Sequence, residues 1–262
     1  MFSFKTGADP EVFLQDAAGA FVSAIDKIGG SKWQPRPLVE LGDGFAVQED
    51  NVAVEFNIPA ADSRELFITN ISRARDFLAQ QVAKQGLKFS NSSATQFPVV
   101  ELLDPRAQEF GCDPDFNAWK HGRRNRRPLA ADASLRSAGG HVHVGHKFKG
   151  RSSAIKFIKY MDLFLGVPSV LMDKGELRKQ LYGAAGAFRH KPYGVEYRTL
   201  SNFWIFKENL IGWVWDQTAT ALDAWQNDVA LEETAIQEAI NGNNKQLAAQ
   251  LVDHYKVDVV YA

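Results

Sequence analysis

The chain has 262 residues, 45% apolar and 11% aromatic, with 30 Lys and Arg against 31 Asp and Glu. Such a composition can bury a sizeable core and excludes intrinsic disorder. A net charge of −1 gives no global field for nucleic acid or anionic membrane, and the single cysteine, Cys112, can form neither an intrachain disulfide nor a cysteine-based zinc module.

Phe2 to Leu14 and Ala20 to Ile25 alternate apolar and polar residues around Asp16 to Gly19, which predicts a hairpin. Gly7, Asp9 and Pro10 arrive before any signal-type apolar stretch develops, and no run approaches the ~20 apolar residues of a membrane span. The expectation is a soluble, cytoplasmic protein with no membrane partner. Gly29 and Gly30 open a loop rich in Pro, Lys and Arg, and Val47 to Ile58 reads as a strand or strand pair. A helix follows, with Asp62 and Glu65 in a capping-box pattern, an apolar stripe of Phe67, Ile71, Ala74, Leu78 and Val82, and Gly86 as its stop.

Residues 87–138 are weakly periodic and rich in Pro, Asp, Asn and Arg, which predicts a long functional excursion with little regular structure, centred on about 90–138. His141 to Gly145 is a short strand, and Ser152 is expected to cap a helix that carries Ile155, Ile158, Met161 and Leu165 on one face and ends before Pro168. Gly194 to Leu200 is again strand-like. From about residue 207 the chain reads as helical: Leu210, Ile211, Val214, Trp215, Thr218 and Leu222 share a stripe, and Leu231 to Ile240 and Lys245 to Tyr255 follow. Trp213 and Trp215 read as core. An antiparallel sheet covered by helices, all in one domain over 1–262, is the economical architecture.

The informative feature is where charge falls on the strands, because residues two apart share a face. Asp9 and Glu11 pair in this way; so do Asn51, Glu55 and Asn57, with Val52, Val54 and Phe56 opposite; so do His141 and His143, and Glu196 and Arg198. Each pair alone is compatible with a solvated outer sheet face. Together they predict one sheet whose far face is apolar and whose near face gathers carboxylates, imidazoles and a guanidinium. Several carboxylates ionise together only around cations, and hard oxygen donors suit Mg²⁺ or Mn²⁺. Neither a P-loop nor a dinucleotide-binding glycine fingerprint is present. A nucleotide could still be held through carboxylate-bound Mg²⁺ on its phosphates.

In chain order, Gly7-Ala-Asp-Pro-Glu-Val-Phe-Leu, Asn51-Val-Ala-Val-Glu-Phe-Asn, Gly139-Gly-His-Val-His-Val-Gly and Gly194-Val-Glu-Tyr-Arg-Thr-Leu resemble the acidic, His-x-His and Glu-x-Arg strands of glutamine synthetases. Within that superfamily, the combination resembles the bacteriophage amidoligases called COOH-NH2 ligase type 2, over residues 4 to about 206. Two departures stand out: no separate N-terminal domain precedes these motifs, and Asp9 stands where the synthetases have Glu. The resemblance implies an α+β, glutamine synthetase-like catalytic domain with a curved antiparallel sheet and helices on one face. It also implies an ATP-dependent carboxylate–amine ligase working through an acyl phosphate, with ATP and Mg²⁺ or Mn²⁺ as cofactors, in the host cytoplasm if phage-encoded.

By the same resemblance, Glu11, Glu55, His141, Glu196, Asp9 and Glu49 form the metal set; His143, Arg178, Arg198 and Arg136 the nucleotide set; and Arg198, Arg189 and Glu55 the catalytic set. Arg178 reads equally well as ordinary helix-surface charge. The partners implied are a small-molecule or peptide carboxylate and an amine. Lys120 to Arg127, with Arg123, Arg124, Arg126 and Arg127, is the only basic run and reads as a solvated loop, a lid, or a contact for an acidic substrate; lacking interleaved aromatics, it argues against nucleic acid. Asp113, Asp115 and Asn117 could instead take the amine. The rival readings are a metal-dependent hydrolase built on His141 and His143 and a non-catalytic phage binding protein.

Overall fold

The computed structural model describes residues 3–108, 115–125, 132–175, 177–178 and 181–260. Its strands are β1 (Lys5–Gln15), β2 (Phe21–Val22), β3 (Arg36–Pro37), β4 (Ala46–Asp50), β5 (Ala53–Asn57), β6 (Lys88–Ser90), β7 (Ala94–Gln96), β8 (Phe116–Asn117), β9 (Arg123–Arg124), β10 (Leu135–Ser137), β11 (Gly140–Gly145), β12 (Ala187–Lys191) and β13 (Gly194–Tyr197). The helices are α1 (Arg64–Ala83), α2 (Pro105–Gln108), α3 (Arg151–Met161), α4 (Val167–Met172), α5 (Glu208–Gln226), α6 (Glu233–Asn241) and α7 (Lys245–Tyr255). The architecture is the expected α+β one. A curved antiparallel sheet runs in the order β3-β4-β5-β1-β11-β13-β12-β8-β9, with β2 and β6 on the far end of β1 and β7 paired to β10 apart from it.

β1 is the axis. It pairs with β11 through Asp9↔His141, with β5 through Glu11↔Glu55, and with β2 and β6 beyond. Residues directly opposite in an antiparallel ladder project to the same face. The registers Gln48↔Glu55, Glu11↔Glu55, Asp9↔His141, His143↔Glu196 and Arg189↔Glu196 therefore draw one polar row across β4, β5, β1, β11, β13 and β12. The alternate residues Ala8, Val12, Val54, Phe56, Val142, Val144, Val195, Tyr197 and Phe188 are buried on the other face.

That apolar face receives the helices: α1 packs against β1 and α5, and α3 against β13 and α5. The stripe predicted for α1 is the buried one, Phe67, Ile71, Ala74, Leu78 and Val82, and Phe67 stacks on Trp204 at 6.0 Å. Trp213 and Trp215 are buried, the former donating from its indole N–H to the Asp258 carbonyl at 2.9 Å. Each such side chain contributes about 1.5–3 kcal/mol by leaving water. No helix among the described residues is long and apolar enough to cross a membrane.

Several local expectations are corrected. The cap of α1 is Ser63, whose Oγ accepts from the Leu66 N–H at 3.2 Å; Asp62 lies one residue too early to reach it. Gly86 does stop the helix, at φ +74, with the Leu87 N–H bonded to the Val82 carbonyl. Ser152 is inside α3, which starts after Gly150 at φ +86. The helix also continues past Pro168: α3 passes through a π-helical turn, Asp162–Gly166, into α4. In the wider turn the Val167 N–H reaches back to the Asp162 carbonyl, and the first turn of α4 then accepts a proline that lacks an N–H.

Residues 87–138 hold more short regular structure than their sequence suggests, in β6, β7, α2, β8, β9 and β10. Their apolar residues build a second cluster in which Phe97, Leu102, Ala107 and Ala138 meet Phe13, Ile25, Val52 and Ala53. Phe13 shares a face with Asp9 and Glu11, so the polar face of β1 turns apolar past Glu11 and this segment roofs it. We expect Phe67→Ala to lower the unfolding free energy by about 3–5 kcal/mol in urea titrations, and the exposed Val99→Ala to change it by less than about 0.5 kcal/mol.

Candidate active site

The polar row is a set of specific contacts rather than a solvated face. Asp9 stands between the two imidazoles, with Oδ1 3.2 Å from His141 Nδ1 and Oδ2 3.1 Å from His143 Nε2. The Tyr193 hydroxyl lies 2.8 Å from His143 Nδ1. Glu196, fully buried, is ringed by cations: Arg189 Nη1 at 3.4 Å, Lys191 Nζ at 2.7 Å, and Arg198 Nη1 hydrogen-bonded to its Oε1. Arg198 also comes within 3.2 Å of His141 Nδ1 and 3.9 Å of Asp115 Oδ2. On the other side of Asp9, one oxygen each from Glu11, Asp50 and Glu55 fall within 4.8 Å of one another.

Backbone and glycines hold this geometry. Glu11 Oε2 accepts the Gly139 N–H at 2.8 Å, and the Glu11 N–H donates to the Gly139 carbonyl at 2.9 Å. A Cβ at Gly139 would lie 2.3 Å from His141 Nε2, and one at Gly140 would lie 2.4 Å from the Ser201 carbonyl oxygen. The two glycines before His-x-His are thus the space that the imidazole and the neighbouring chain occupy. An open cavity of about 360 Å³ lies over the row, lined by Asp9, Glu55, His143, Arg189, Lys191 and Arg198. A narrower, more apolar cleft adjoins it at Glu11, Asp50, His141 and Arg198, with Phe13, Val52, Leu135, Leu181, Tyr182 and Arg178 among its walls.

The carboxylates divide into two electrostatic classes. Burial, then the neighbouring Asp50, push Glu11 up to about 7. Burial and the charges of Asp9, Asp50 and Glu11 raise Glu55 well above the carboxylate range. Burial acts on Asp9 and Glu196 as well, but His143 and His141 hold Asp9 well below its usual value, and Arg198 holds Glu196 down at about 2. His141 is depressed to about 4 by burial and Arg198, whereas Asp9 raises His143 against its burial. One half of the row is therefore a crowded set of acids in which Glu11 and Glu55 are driven toward protonation, and the other is a compensated network. Three carboxylates clustered within 4.8 Å, two of them with raised proton affinity, are the donor set a hard divalent cation fits. Asp9, His141 and Glu196 also converge within 4.8 Å and offer a second mixed set.

Of the residues singled out from the sequence, the structure brings together Asp9, Glu11, Glu55, His141, His143, Arg189, Glu196 and Arg198. Glu49 is not among them: it pairs with Val54, so it faces away from Glu55, and its Oε1 accepts the Gly29 N–H at 3.0 Å. Asp50 takes that place, a position legible only once the turn at Asn51 is known. Asn51 is in that turn at φ +56 rather than on the face of Glu55. Arg136 borders the cleft but spends its guanidinium on the Asn51 side chain and on the carbonyls of Ala133, Leu135 and Ala107. Arg178 is buried rather than a surface charge; it donates to the Thr199 and Arg198 carbonyls, in space that a Cβ at Gly183 would fill.

Asp115 reaches Arg198, Asn117 is a structural residue that donates to the Ala185 carbonyl and caps a short turn, and Asp113 lies outside the described residues. The described part of the basic run, residues 120–125, forms the sheet edge at β9 and lines neither cavity; Arg126 and Arg127 lie outside the described residues. Lys191 and Tyr193 were missed by sequence reasoning. The strand alternation from Arg189 would have found Lys191, while Tyr193 sits in a turn with no pattern.

Among known proteins, the family described as "Phage phiEco32-like COOH.NH2 ligase-type 2" matches residues 130–257. That match spans just under half of the chain and is a likeness to the family. The ligase-type 2 match contains β11, β12 and β13 with His141, His143, Arg189, Glu196 and Arg198, while Asp9, Glu11, Asp50 and Glu55 come from the chain ahead of it. Two solved structures are similar at low identity. "Apo GmaS without ligand" is 12% identical, with 98% of this chain and 70% of that chain covered at a TM-score of 0.44. "GmaS/ADP complex-Conformation 1" is 13% identical, with 97% and 68% covered at 0.41. No curated protein matches the chain.

With metal absent, raised carboxyl groups bind more protons in the folded than in the unfolded state, so they make stability fall as pH rises between about 4.5 and 7. His143, raised above the ordinary imidazole value, acts in the same direction as pH passes its folded value, and the depressed His141 opposes them between about 4 and 6.5. Two carboxyl groups and one imidazole outweigh one imidazole. We expect the melting temperature of the metal-free protein to fall from pH 5.5 to pH 7.5, and Glu55→Gln to raise it at pH 7.5 and flatten the dependence. Scanning calorimetry in chelator across that range checks both; a drop in Glu55→Gln as large as that of a core truncation would make Glu55 a structural residue.

Proposed function

We propose that the chain is an ATP-dependent carboxylate–amine ligase that makes an amide through an acyl phosphate. The observation that carries this reading is the juxtaposition, along one sheet face, of a cluster of three carboxylates and a ring of three cations around Glu196. The first half suits divalent cations and the second suits a phosphoryl group, and a metal-chelated polyphosphate needs both side by side. Glu11, Asp50 and Glu55 would hold one Mg²⁺ or Mn²⁺, and Asp9, His141 and Glu196 a second. When bound, such ions neutralise and polarise phosphate oxygens.

The substrate carboxylate oxygen attacks the γ-phosphorus and ADP leaves; the amine nitrogen then attacks the acyl carbon and phosphate leaves, giving the amide. Arg198 and Arg189 neutralise charge on the transferring phosphoryl group, with Glu196 keeping their guanidinium groups in place between turnovers. His143, held by Asp9 and Tyr193, contacts the nucleotide. Arg178, at the wall of the apolar cleft, orients the carboxylate substrate. Arg136 keeps the turn at Asn51 against the 107 and 133–135 backbone and so acts on the site indirectly. The apolar cover over the cleft keeps water from the acyl phosphate.

A hydrolase centred on the His-x-His pair is less well supported, because both imidazoles turn to the one carboxylate of Asp9 and the remaining neighbours of His141 include a guanidinium, unlike the three-ligand open zinc sites of hydrolases. The test supplies Mg·ATP, a mixture of amino acids and small carboxylic acids, and hydroxylamine as a generic amine. Hydroxamate should form with stoichiometric ADP, and Glu55→Gln and Arg198→Lys should each cut the rate by about a hundredfold or more. Stoichiometric zinc binding without measurable affinity for ATP or ADP in Mg²⁺ or Mn²⁺ would overturn the ligase reading.

A further inference from the structure

Asp162 is a buried carboxylate for which the site described above has no use. It opens the π-helical turn between α3 and α4, is fully shielded from water, and lies behind the sheet, on the apolar face. Side-chain donors from two separate parts of the chain, Trp119 and the Tyr197 to Thr199 segment, converge on it. The Trp119 indole N–H reaches Oδ2 at 2.6 Å, the Tyr197 hydroxyl reaches Oδ1 at 2.7 Å, and the Thr199 hydroxyl lies 3.3 Å from Oδ1 and 3.1 Å from the Ala184 carbonyl oxygen, between which its proton is shared. An ionised carboxylate, which only accepts, takes the Trp119 and Tyr197 donors on one oxygen each and leaves Oδ1 within reach of Thr199. Gly166 makes the approach possible: a Cβ there would lie 2.6 Å from the Tyr197 hydroxyl oxygen.

The two residues of β13 and its extension that Asp162 grips, Tyr197 and Thr199, flank Arg198. In extended backbone, residues on either side of a position point to the opposite face. Tyr197 and Thr199 therefore project back to Asp162 while Arg198 projects forward to Glu196 and His141. The Thr199 carbonyl also accepts from Arg178 at 2.9 Å, and the segment carrying Trp119 includes Asp115, 3.9 Å from Arg198 Nε. The segment carrying Tyr197 and Thr199 and the segment carrying Trp119 and Asp115 are thus both tied to the one carboxylate.

We propose that Asp162 is a positioning residue that sets the Arg198 guanidinium at the site from behind the sheet, through Tyr197 and Thr199. The proposal uses the ligase reading for its kinetic consequence only. A loosened Arg198 loses transition-state stabilisation rather than nucleotide affinity, so kcat falls about ten- to a hundredfold while KM for ATP stays within about threefold.

The test has one arm that needs no turnover. The Nε–H signal of Arg198 is identified in ¹⁵N NMR spectra of the full chain by its loss in Arg198→Lys. Asp162→Asn, Tyr197→Phe and Thr199→Val are compared with Leu78→Ala, a core truncation in α1 remote from the site. In wild type the Arg198 signal exchanges slowly with water; in Thr199→Val and Tyr197→Phe it shifts and exchanges about tenfold faster or more, while Leu78→Ala leaves it in place. Thr199→Ser, which keeps the hydroxyl, restores the wild-type signal. If Asp162→Asn fails to fold, the Tyr197 and Thr199 variants decide alone. An Arg198 signal unchanged in both, or already in fast exchange in wild type, overturns the proposal. A wild-type protein with a held Arg198 signal but no ATP turnover would instead count against the ligase reading and leave the positioning role standing.

Discussion

Like charges held together out of water are the constraint on which this structure turns. Glu11, Asp50 and Glu55 repel one another, and burial deprives Glu11 and Glu55 of the solvent that would screen them. Each tenfold rise in proton affinity corresponds to about 1.4 kcal/mol, so Glu11 alone opposes folding by roughly 3 kcal/mol above neutral pH. That is a substantial fraction of the 5–15 kcal/mol by which domains are usually stable. The opposing term comes from the same strands. Val12, Val54 and Phe56 alternate with the carboxylates and are fully buried in the main core cluster, so the residues that offset the site are its own sequence neighbours.

Environment, not residue type, separates the carboxylates of the row. Glu11 and Glu196 are the same side chain on the same sheet face, yet one is driven up to about 7 and the other down to about 2. Glu196 has Arg189, Lys191 and Arg198 in contact with it; Glu11 has Asp50 and Glu55 beside it, the Gly139 N–H on one oxygen and the His141 ring at 4.0 Å, with Arg198 and Arg178 offsetting only part of its burial. A strained, under-compensated cluster next to a saturated one is the arrangement found where a protein keeps binding capacity in reserve. Glycine supplies the remaining freedom. At Gly139, Gly140 and Gly183 the missing side chain is the volume taken by an imidazole, a carbonyl and a guanidinium.

The segment between α1 and β11 illustrates why a weakly patterned stretch need not be unstructured. Its strands are two or three residues long, too short to display a period, and its apolar residues pack on the far end of β1 rather than on each other. The result is a cover on the polar face just past Glu11. One side of the site is open cavity and the other is walled by Phe13, Val52 and Leu135. Chemistry that must keep water from a reactive acyl group needs such an asymmetric enclosure.

By itself, the amino-acid sequence determined which side chains share a face on each strand, because the period of two is local and unambiguous. Asp9 with Glu11, His141 with His143, and Glu196 with Arg198 were legible for that reason, as were the buried stripe of α1 and the family-like order of the four motifs. Tertiary structure decided everything that depends on register across a turn or on competition for a partner. The hairpin turn at Asn51 selects Asp50 over Glu49, because pairing Glu49 with Val54 sends it to the other side. Backbone carbonyls claim Arg136, while Gly183 admits Arg178 to the interior. Asp162 carried no sequence signal at all: its role exists only where a helix turn, a strand and a loop more than thirty residues apart in the chain converge on one buried oxygen pair.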